Sequence, residues 1–132
     1  MNKMSPVVHF EMPYEDHERL KKFYEGVFGW QMNKLGEEMG QYVLATTAET
    51  DEKQMIKQPG AINGGFFPQD PAKPLVPSVV IAVEDIKGAM ANIKMAGGEV
   101  LGEPMEIPGI GHYVSFRDTE GNRVGILQPV SK

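Results

Sequence analysis

The chain has 132 residues, a net charge of −5 and a pI of about 5.2, with 41% hydrophobic and 23% charged residues. This length and composition predict one ordinary soluble globular domain and argue against a disordered chain or one that crosses a membrane. The acidic balance argues against a nucleic-acid partner, and the absence of cysteine excludes disulfides and thiolate chemistry. Because the first residues lack the pattern of a signal peptide, we expect a cytoplasmic protein.

The first half of the chain predicts a strand, a helix and further strands. Residues 7–10 form a short β-branched run bounded by prolines, and residues 41–46 and 61–67 are later strand candidates. Asp16 and Gly29 have the positions of an N-cap and a C-terminal glycine around a helix. The apolar residues between them have the spacing of one helix face: Leu20, Phe23, Tyr24, Val27 and Phe28.

The second half repeats this pattern after a linker. Residues 69–77 contain three prolines, a density that neither a helix nor a central strand tolerates. A strand is predicted at 78–83, then a helix that Asp85 caps and Gly97 ends, then strands at 112–116 and 123–128.

The two halves align as a diverged duplication. An offset of 69 places Asp16 on Asp85, an offset of 71 places residues 40–43 on 111–114, and an offset of 61 places Gly64 on Gly125. We therefore predict an α+β protein with two β-α-β-β-β modules, at about 5–68 and 78–130. The linker 69–77 joins them within a single domain of residues 1–132.

Three segments carry a family resemblance: HFEMPYEDHERLKKFYEGVFGW, VVIAVEDIKGAMANIKMAGGEVLGEPMEIPGIGHYV and FRDTEGNRVGILQP. With them the chain resembles the glyoxalase/bleomycin-resistance/dioxygenase superfamily (vicinal oxygen chelate fold), and within it the small single-domain group related to lactoylglutathione lyase. The resemblance implies that the two modules form an open barrel or cleft, usually within a homodimer. In metal-dependent members it implies one divalent ion, held by His and Glu ligands from the first and last strands of each module.

The four positions that the resemblance assigns to a metal read His9, Asn63 or Gly64, Ser78, and Gly125. Only His9 is a usual ligand, since a serine hydroxyl is a poor donor and glycine has no side chain. We therefore expect neither the usual metal site nor another cofactor. An altered divalent-metal site around His9 is the alternative, and His9, Glu11 and His112 form one possible set of ligands.

We predict a ligand-binding cleft and assign no catalytic residues. Its candidate residues are His9, Glu11, Ser78, His112 and Arg123. The first functional hypothesis is a protein that binds a small molecule without metal chemistry. The alternatives are a metal-dependent glyoxalase-like lyase or isomerase (or a dioxygenase-type enzyme), and a dimeric regulatory or interaction module.

Overall fold

A computed structural model describes residues 4–53, 55–72 and 75–130 of the chain. These residues form nine strands and two α-helices, which confirms the predicted α+β class. Contacts divide the chain into two compact units. The N-terminal unit is His9–Pro77, and the C-terminal unit combines Met1–Val8 with Ser78–Lys132.

The N-terminal unit has the predicted β-α-β-β-β order. Its elements are β1 (Val7–Tyr14) from His9 onward, α1 (His17–Phe28), β2 (Gln31–Lys34), β3 (Val43–Thr46) and β4 (Asn63–Pro68). Strand β4 pairs in parallel with β1 and antiparallel with β3, which also pairs with β2. Strand β2 is short and buries only Met32, so its sequence has no apolar alternation by which to predict it. Strand β3 begins later than predicted because Gln41, with φ 56°, still lies in a turn.

Helix α1 begins and ends where the sequence predicts. The Asp16 side chain accepts a hydrogen bond from the Arg19 backbone N–H at 3.1 Å, and Gly29 has a left-handed φ of 72°. Leu20 and Tyr24 of this helix pack against a core of five buried residues, Tyr14, Met32, Val43, Ala45 and Phe66.

Strand β1 continues through Pro13, where a strand end was predicted. The Tyr14 carbonyl accepts a hydrogen bond from the Gln69 N–H at 2.7 Å, on the β4 side. Because alternate residues of a strand direct their backbone groups to opposite sides, the missing N–H of Pro13 faces away from β4. The pairing with β4 therefore loses no hydrogen bond at this proline.

The C-terminal unit has one strand more than the predicted module. Its elements are β5 (Ser78–Ala82), α2 (Ile86–Met95), β6 (Glu99–Val100), β7 (Met105–Ile107), β8 (Gly111–Arg117) and β9 (Arg123–Pro129). Strand β9 pairs in parallel with β5 and antiparallel with β8, and β6 and β7 both pair with β8. Strands β6 and β7 are parts of one edge strand. It is interrupted at Gly102 (φ 115°) and at Pro104, which has no N–H to donate.

Helix α2 covers one face of this second sheet. The Asp85 side chain accepts a hydrogen bond from the Gly88 N–H at 3.2 Å and so caps the helix as predicted. Ile86 and Met90 pack against Val114 and Ile126 in the core of this unit.

The structure describes only part of the predicted linker, and it addresses the membrane prediction only for the described residues. Residues 73 and 74 of the linker lie outside the described residues, and the predicted single-domain boundaries stay a prediction. In the part of the chain that the structure describes, no helix is long and apolar enough to cross a membrane.

Candidate functional site

The two faces of β1 have different chemistry. Phe10 and Met12 pack against the core beneath α1. Because side chains alternate along a strand, His9 and Glu11 lie on the opposite face. Both are half-buried.

Tyr42, just before β3, connects these two side chains. Its hydroxyl donates a hydrogen bond to Oε2 of Glu11 at 2.9 Å and lies 2.9 Å from Nε2 of His9. The rings of His9 and Tyr42 are close to parallel, 19° apart, with centroids separated by 6.3 Å. A hydroxyl has one proton, so when it donates to Glu11 it accepts from His9.

This arrangement determines the state of the histidine. Burial lowers the pKa of His9 from 6.5 to about 4, so its ring is neutral at pH 7. The tautomer that fits the network has its proton on Nε2 and a lone pair on Nδ1. His9 is therefore a neutral hydrogen-bond donor to the Tyr42 oxygen.

A glycine makes room for the Tyr42 ring. Gly65 pairs with Glu11 in β1 and with Leu44 in β3. A Cβ atom at Gly65 would overlap the ring and hydroxyl of Tyr42. Position 65 therefore has no space for a side chain while Tyr42 keeps its place.

The C-terminal unit contains a second cluster of the same kind. A Cβ atom at Gly125 would lie 2.6 Å from the ring of Tyr113. The Tyr113 hydroxyl lies 3.3 Å from Oγ of Ser115, which accepts a hydrogen bond from Nη2 of Arg123 at 3.2 Å. Ser115 is buried and Arg123 is half-buried.

Strand register shows that the two clusters occupy equivalent positions. Glu11 pairs with Gly65 as Val80 pairs with Gly125, and Leu44 pairs with Gly65 as Ser115 pairs with Gly125. The offsets of 69 and 71 are confirmed by these pairs. The offset of 61, which placed Gly64 on Gly125, is wrong by one residue, because the counterpart of Gly125 is Gly65. The sequence offered two adjacent glycines, and only the pairing distinguishes them.

The structure brings together some of the predicted cleft residues and separates others. His9 and Glu11 share the Tyr42 hydroxyl. Ser78 precedes Val80 by two residues and Arg123 precedes Gly125 by two, so both lie on the face of β5 and β9 opposite α2. His112 is exposed and lies on the other face, since it alternates with Tyr113 and shares its face with Val114 of the α2 core.

The four positions that the family resemblance assigns to a metal offer a poor set of ligands. They are His9, Gly65 in place of the predicted Asn63 or Gly64, Ser78 and Gly125. Two of them have no side chain, and Ser78 offers only a hydroxyl, which is a poor metal ligand. In residues 4–53, 55–72 and 75–130, no three His, Asp or Glu side chains are placed to hold a metal ion. The residues present do not fit the usual site.

The sequence predictions missed Tyr42, Tyr113 and Ser115. The signal was present, because Tyr42 and Tyr113 fall on each other at the offset of 71. That repeat indicated equivalent strands in the two halves. It did not indicate which side chains meet on the faces of those strands.

An open polar depression lies elsewhere in the N-terminal unit. It has a volume of about 500 Å³ and is lined by Gly29, Gln31, Thr46, Thr47, Ala48, Glu49, Thr50 and Lys57. None of the predicted cleft residues lines it.

Comparison with known proteins identifies relatives along nearly the whole chain. A family model described as Glyoxalase/Bleomycin resistance protein/Dioxygenase superfamily matches residues 7–126. The "Putative glyoxylase CFP32" of Mycobacterium tuberculosis is 26% identical over 98% of this chain, which spans only 46% of the length of that protein. The anthracycline biosynthesis protein DnrV of Streptomyces peucetius is 28% identical over 85% of this chain and 42% of its own length.

Solved structures give the same fold. A methylmalonyl-CoA epimerase of Streptomyces coelicolor, in complex with 2-nitronate-propionyl-CoA, matches with a TM-score of 0.71 and 14% identity over 98% of this chain and 100% of that chain. The methylmalonyl-CoA epimerase of Mycobacterium tuberculosis has a TM-score of 0.68 and 14% identity, over 99% of this chain and 94% of that one. At this identity the likeness is one of fold, and it confirms the predicted glyoxalase-like architecture.

Proposed function

We propose that this chain, which belongs to the Glyoxalase/Bleomycin resistance protein/Dioxygenase superfamily, binds a small organic molecule without the usual four-ligand metal site. The binding surface is the face of β1 and β4 that carries His9 and Glu11. The observation that carries the proposal is the bridge from His9 through the Tyr42 hydroxyl to Glu11.

The bridge favours an organic ligand over an ion. Neutral His9 and the Tyr42 ring form a stacked aromatic surface, and the Glu11 carboxylate provides a hydrogen-bond acceptor beside it. An aromatic compound with a hydroxyl group has matching chemistry, a flat ring and a donor. The Tyr42 ring occupies the space into which a metal-ligating side chain at position 65 would project.

The relatives support the class of ligand in general terms. The solved epimerase of Streptomyces coelicolor holds a CoA ester, and DnrV is named for anthracycline biosynthesis. Both descriptions involve small organic molecules. The particular ligands and reactions are those of the two relatives and are not assigned to this chain.

Metal analysis combined with thermal unfolding tests this proposal. Protein purified without chelator should contain no stoichiometric Ni, Zn, Fe or Mn. The neutral probe 1-naphthol should raise the melting temperature in a saturable way, because it binds only the folded state. His9→Ala and Tyr42→Phe should abolish this shift, and Tyr24→Phe should keep it. Stoichiometric metal that is lost in His9→Ala would reject the metal-free reading.

A metal-dependent glyoxalase-like lyase or isomerase is the second candidate. It is favoured by family membership and by His9, which has the first-strand position of a ligand. Its distinguishing result is turnover that depends on added divalent metal and on His9.

A dimeric regulatory or interaction module is the third candidate. Helix α1 exposes Phe23, Val27 and Phe28 at 54%, 60% and 58% of their surface, which is typical of a contact surface. A homodimer in sedimentation that Phe28→Ser disrupts would support it. The cytoplasmic location belongs to the proposal as well and is supported by composition alone.

A further inference from the structure

We propose that Arg123, Ser115 and Tyr113 form a second binding site, in the C-terminal unit, for the carboxylate group of a small molecule. These residues belong to β8 and β9 and differ from the three residues of the His9, Tyr42 and Glu11 bridge. The proposal goes beyond the function proposed above, and either can fail without the other.

The first argument is the missing counter-charge of Arg123. Its guanidinium is half-buried, and among the described residues its only side-chain partner is the neutral hydroxyl of Ser115, at 3.2 Å. The chain has 18 acidic residues, yet no described carboxylate forms an ion pair with Arg123. Because a partly buried charge without a counter-ion is unfavourable, an anion from solution would stabilise it.

The neighbouring arginine shows the contrast. Arg117 pairs with Arg123 in the β8–β9 register, so the two side chains start from the same face of the sheet. Arg117 is exposed, and its Nη1 donates to Oε1 of Glu99 at 3.4 Å. The more exposed arginine thus has a carboxylate partner within the protein, and the more buried one has none among the described residues.

The geometry favours a carboxylate. A guanidinium has five N–H donors in a planar fork that matches two carboxylate oxygens, and the described contact to Ser115 uses one of its nitrogens. One guanidinium balances one negative charge, which fits a carboxylate better than a phosphate dianion. The Tyr113 hydroxyl, 3.3 Å from the same Ser115 oxygen, adds a polar group beside the fork.

Gly125 keeps these groups in place. It lies between Val80 and Ser115 in the sheet, and its missing side chain leaves the space that the Tyr113 ring fills. The ring is therefore held against the strand, and its hydroxyl stays beside Ser115. Tyr113 and Ser115 therefore form a positioned polar pair on the sheet, and Arg123 is hydrogen-bonded to it.

NMR titration of the full ¹⁵N-labelled chain tests the proposal with sodium benzoate and its neutral analogue benzamide, at constant ionic strength. Benzoate should shift the Arg123 side-chain N–H and the backbone amides of Tyr113 and Ser115 in a saturable way, and benzamide should not. Inorganic phosphate should bind more weakly than benzoate. The thermal shift by 1-naphthol tests the first site with a different probe, so failure of one proposal does not decide the other.

Substitutions complete the test. Arg123→Gln should weaken benzoate about tenfold or more, since it removes a charged hydrogen-bond donor. Arg19→Gln is the charge-matched control, because Arg19 is exposed and paired with Glu15 at 3.1 Å, and it should leave affinity unchanged. If Arg123→Gln does not fold, Arg123→Lys serves instead, because it keeps the charge but loses the fork and should still weaken binding. Absence of saturable shifts, equal binding of benzamide, tighter binding of phosphate, or unchanged affinity in the Arg123 variant that folds would each overturn the proposal.

Discussion

The ring of Tyr42 lies against Gly65, in the volume that a side chain at position 65 would fill. Tyr113 has the same relationship to Gly125 at the equivalent position of the other unit. Neither glycine has a positive φ, so both are required for space and not for backbone conformation. In each unit, a tyrosine therefore fills the space of a side chain in the last strand: Tyr42, just before β3, in one unit and Tyr113 of β8 in the other.

Gly65→Ala should destabilise the protein. The added methyl group overlaps the Tyr42 ring, and an overpacked site of this kind costs about 1–3 kcal/mol. Urea unfolding at pH 7 measures the change. Gly26→Ala is the matched control: Gly26 lies in the last turn of α1 and its Cβ would meet nothing within 4 Å, so the substitution should leave stability unchanged or raise it slightly. In a Tyr42→Ala background the cost of Gly65→Ala should largely disappear, and an unchanged cost would contradict the steric explanation.

Tyr42→Phe should reduce stability by about 1–3 kcal/mol. It removes the hydrogen bond that the hydroxyl accepts from His9 and the one that it donates to Glu11. Equilibrium unfolding provides the measurement. The control is Tyr24→Phe: Tyr24 stacks on Trp30, its hydroxyl has no hydrogen bond recorded in the described part of the chain, and its loss should matter little. Equal effects of the two substitutions would mean that the bridge contributes nothing specific.

His9 should make stability depend on pH. Its pKa is about 4 in the folded chain and near 6.5 when unfolded, because burial disfavours the charged ring. Between these values the unfolded state binds more protons, so the free energy of unfolding should rise from pH 4 to pH 6.5 and then level off. The full change is on the order of 3 kcal/mol, since one pKa unit corresponds to about 1.4 kcal/mol.

The measurement is denaturant unfolding across pH 4 to 7.5, compared with His9→Gln. Glutamine can still donate to Tyr42 but does not titrate, so the difference between the two curves isolates His9. The charged and polar groups around it, Glu11 and Tyr42, are the same in both proteins. Parallel curves for the two proteins would rule out a depressed pKa at His9.

Phe66→Ala should cost about 3–5 kcal/mol, because Phe66 is only 1% exposed and lies at the centre of the N-terminal core. Phe23→Ala removes the same group from a side chain that is 54% exposed and should cost much less. Thermal unfolding of the two variants makes the comparison. A similar loss in both would indicate that the exposed face of α1 is covered in solution.

The sequence predicted what depends on local chemistry. Both helices begin at Asp16 and Asp85 as expected, because an aspartate before an apolar periodic run is a strong local signal. Strand β2 was missed because its four residues have one buried position and no alternation. The edge strand formed by β6 and β7 was missed for a similar reason. Its two pieces have two and three residues, which is too short for a visible alternation of apolar and polar side chains.

The candidate site was predictable only in part. His9 and Glu11 were both named as candidate cleft residues, and the structure places them on one face of β1, as the alternation of side chains along a strand requires. Their link through Tyr42 depends on contact across 31 and 33 residues of chain, and no local pattern contains it. Gly64 was chosen over Gly65 because register is set by pairing between strands, which a repeat in the sequence does not specify to the residue.

The glycine and tyrosine pair is present in both units, while the first-strand residues beside it differ. Where one unit has His9 and Glu11, the other has Ser78 and Val80. A duplicated half can therefore keep its backbone framework while the side chains on that framework change. Such a history lets two copies of one ancestral half diverge in chemistry: one now carries the bridge from His9 through Tyr42 to Glu11, and the other carries the hydrogen bond from Arg123 to Ser115.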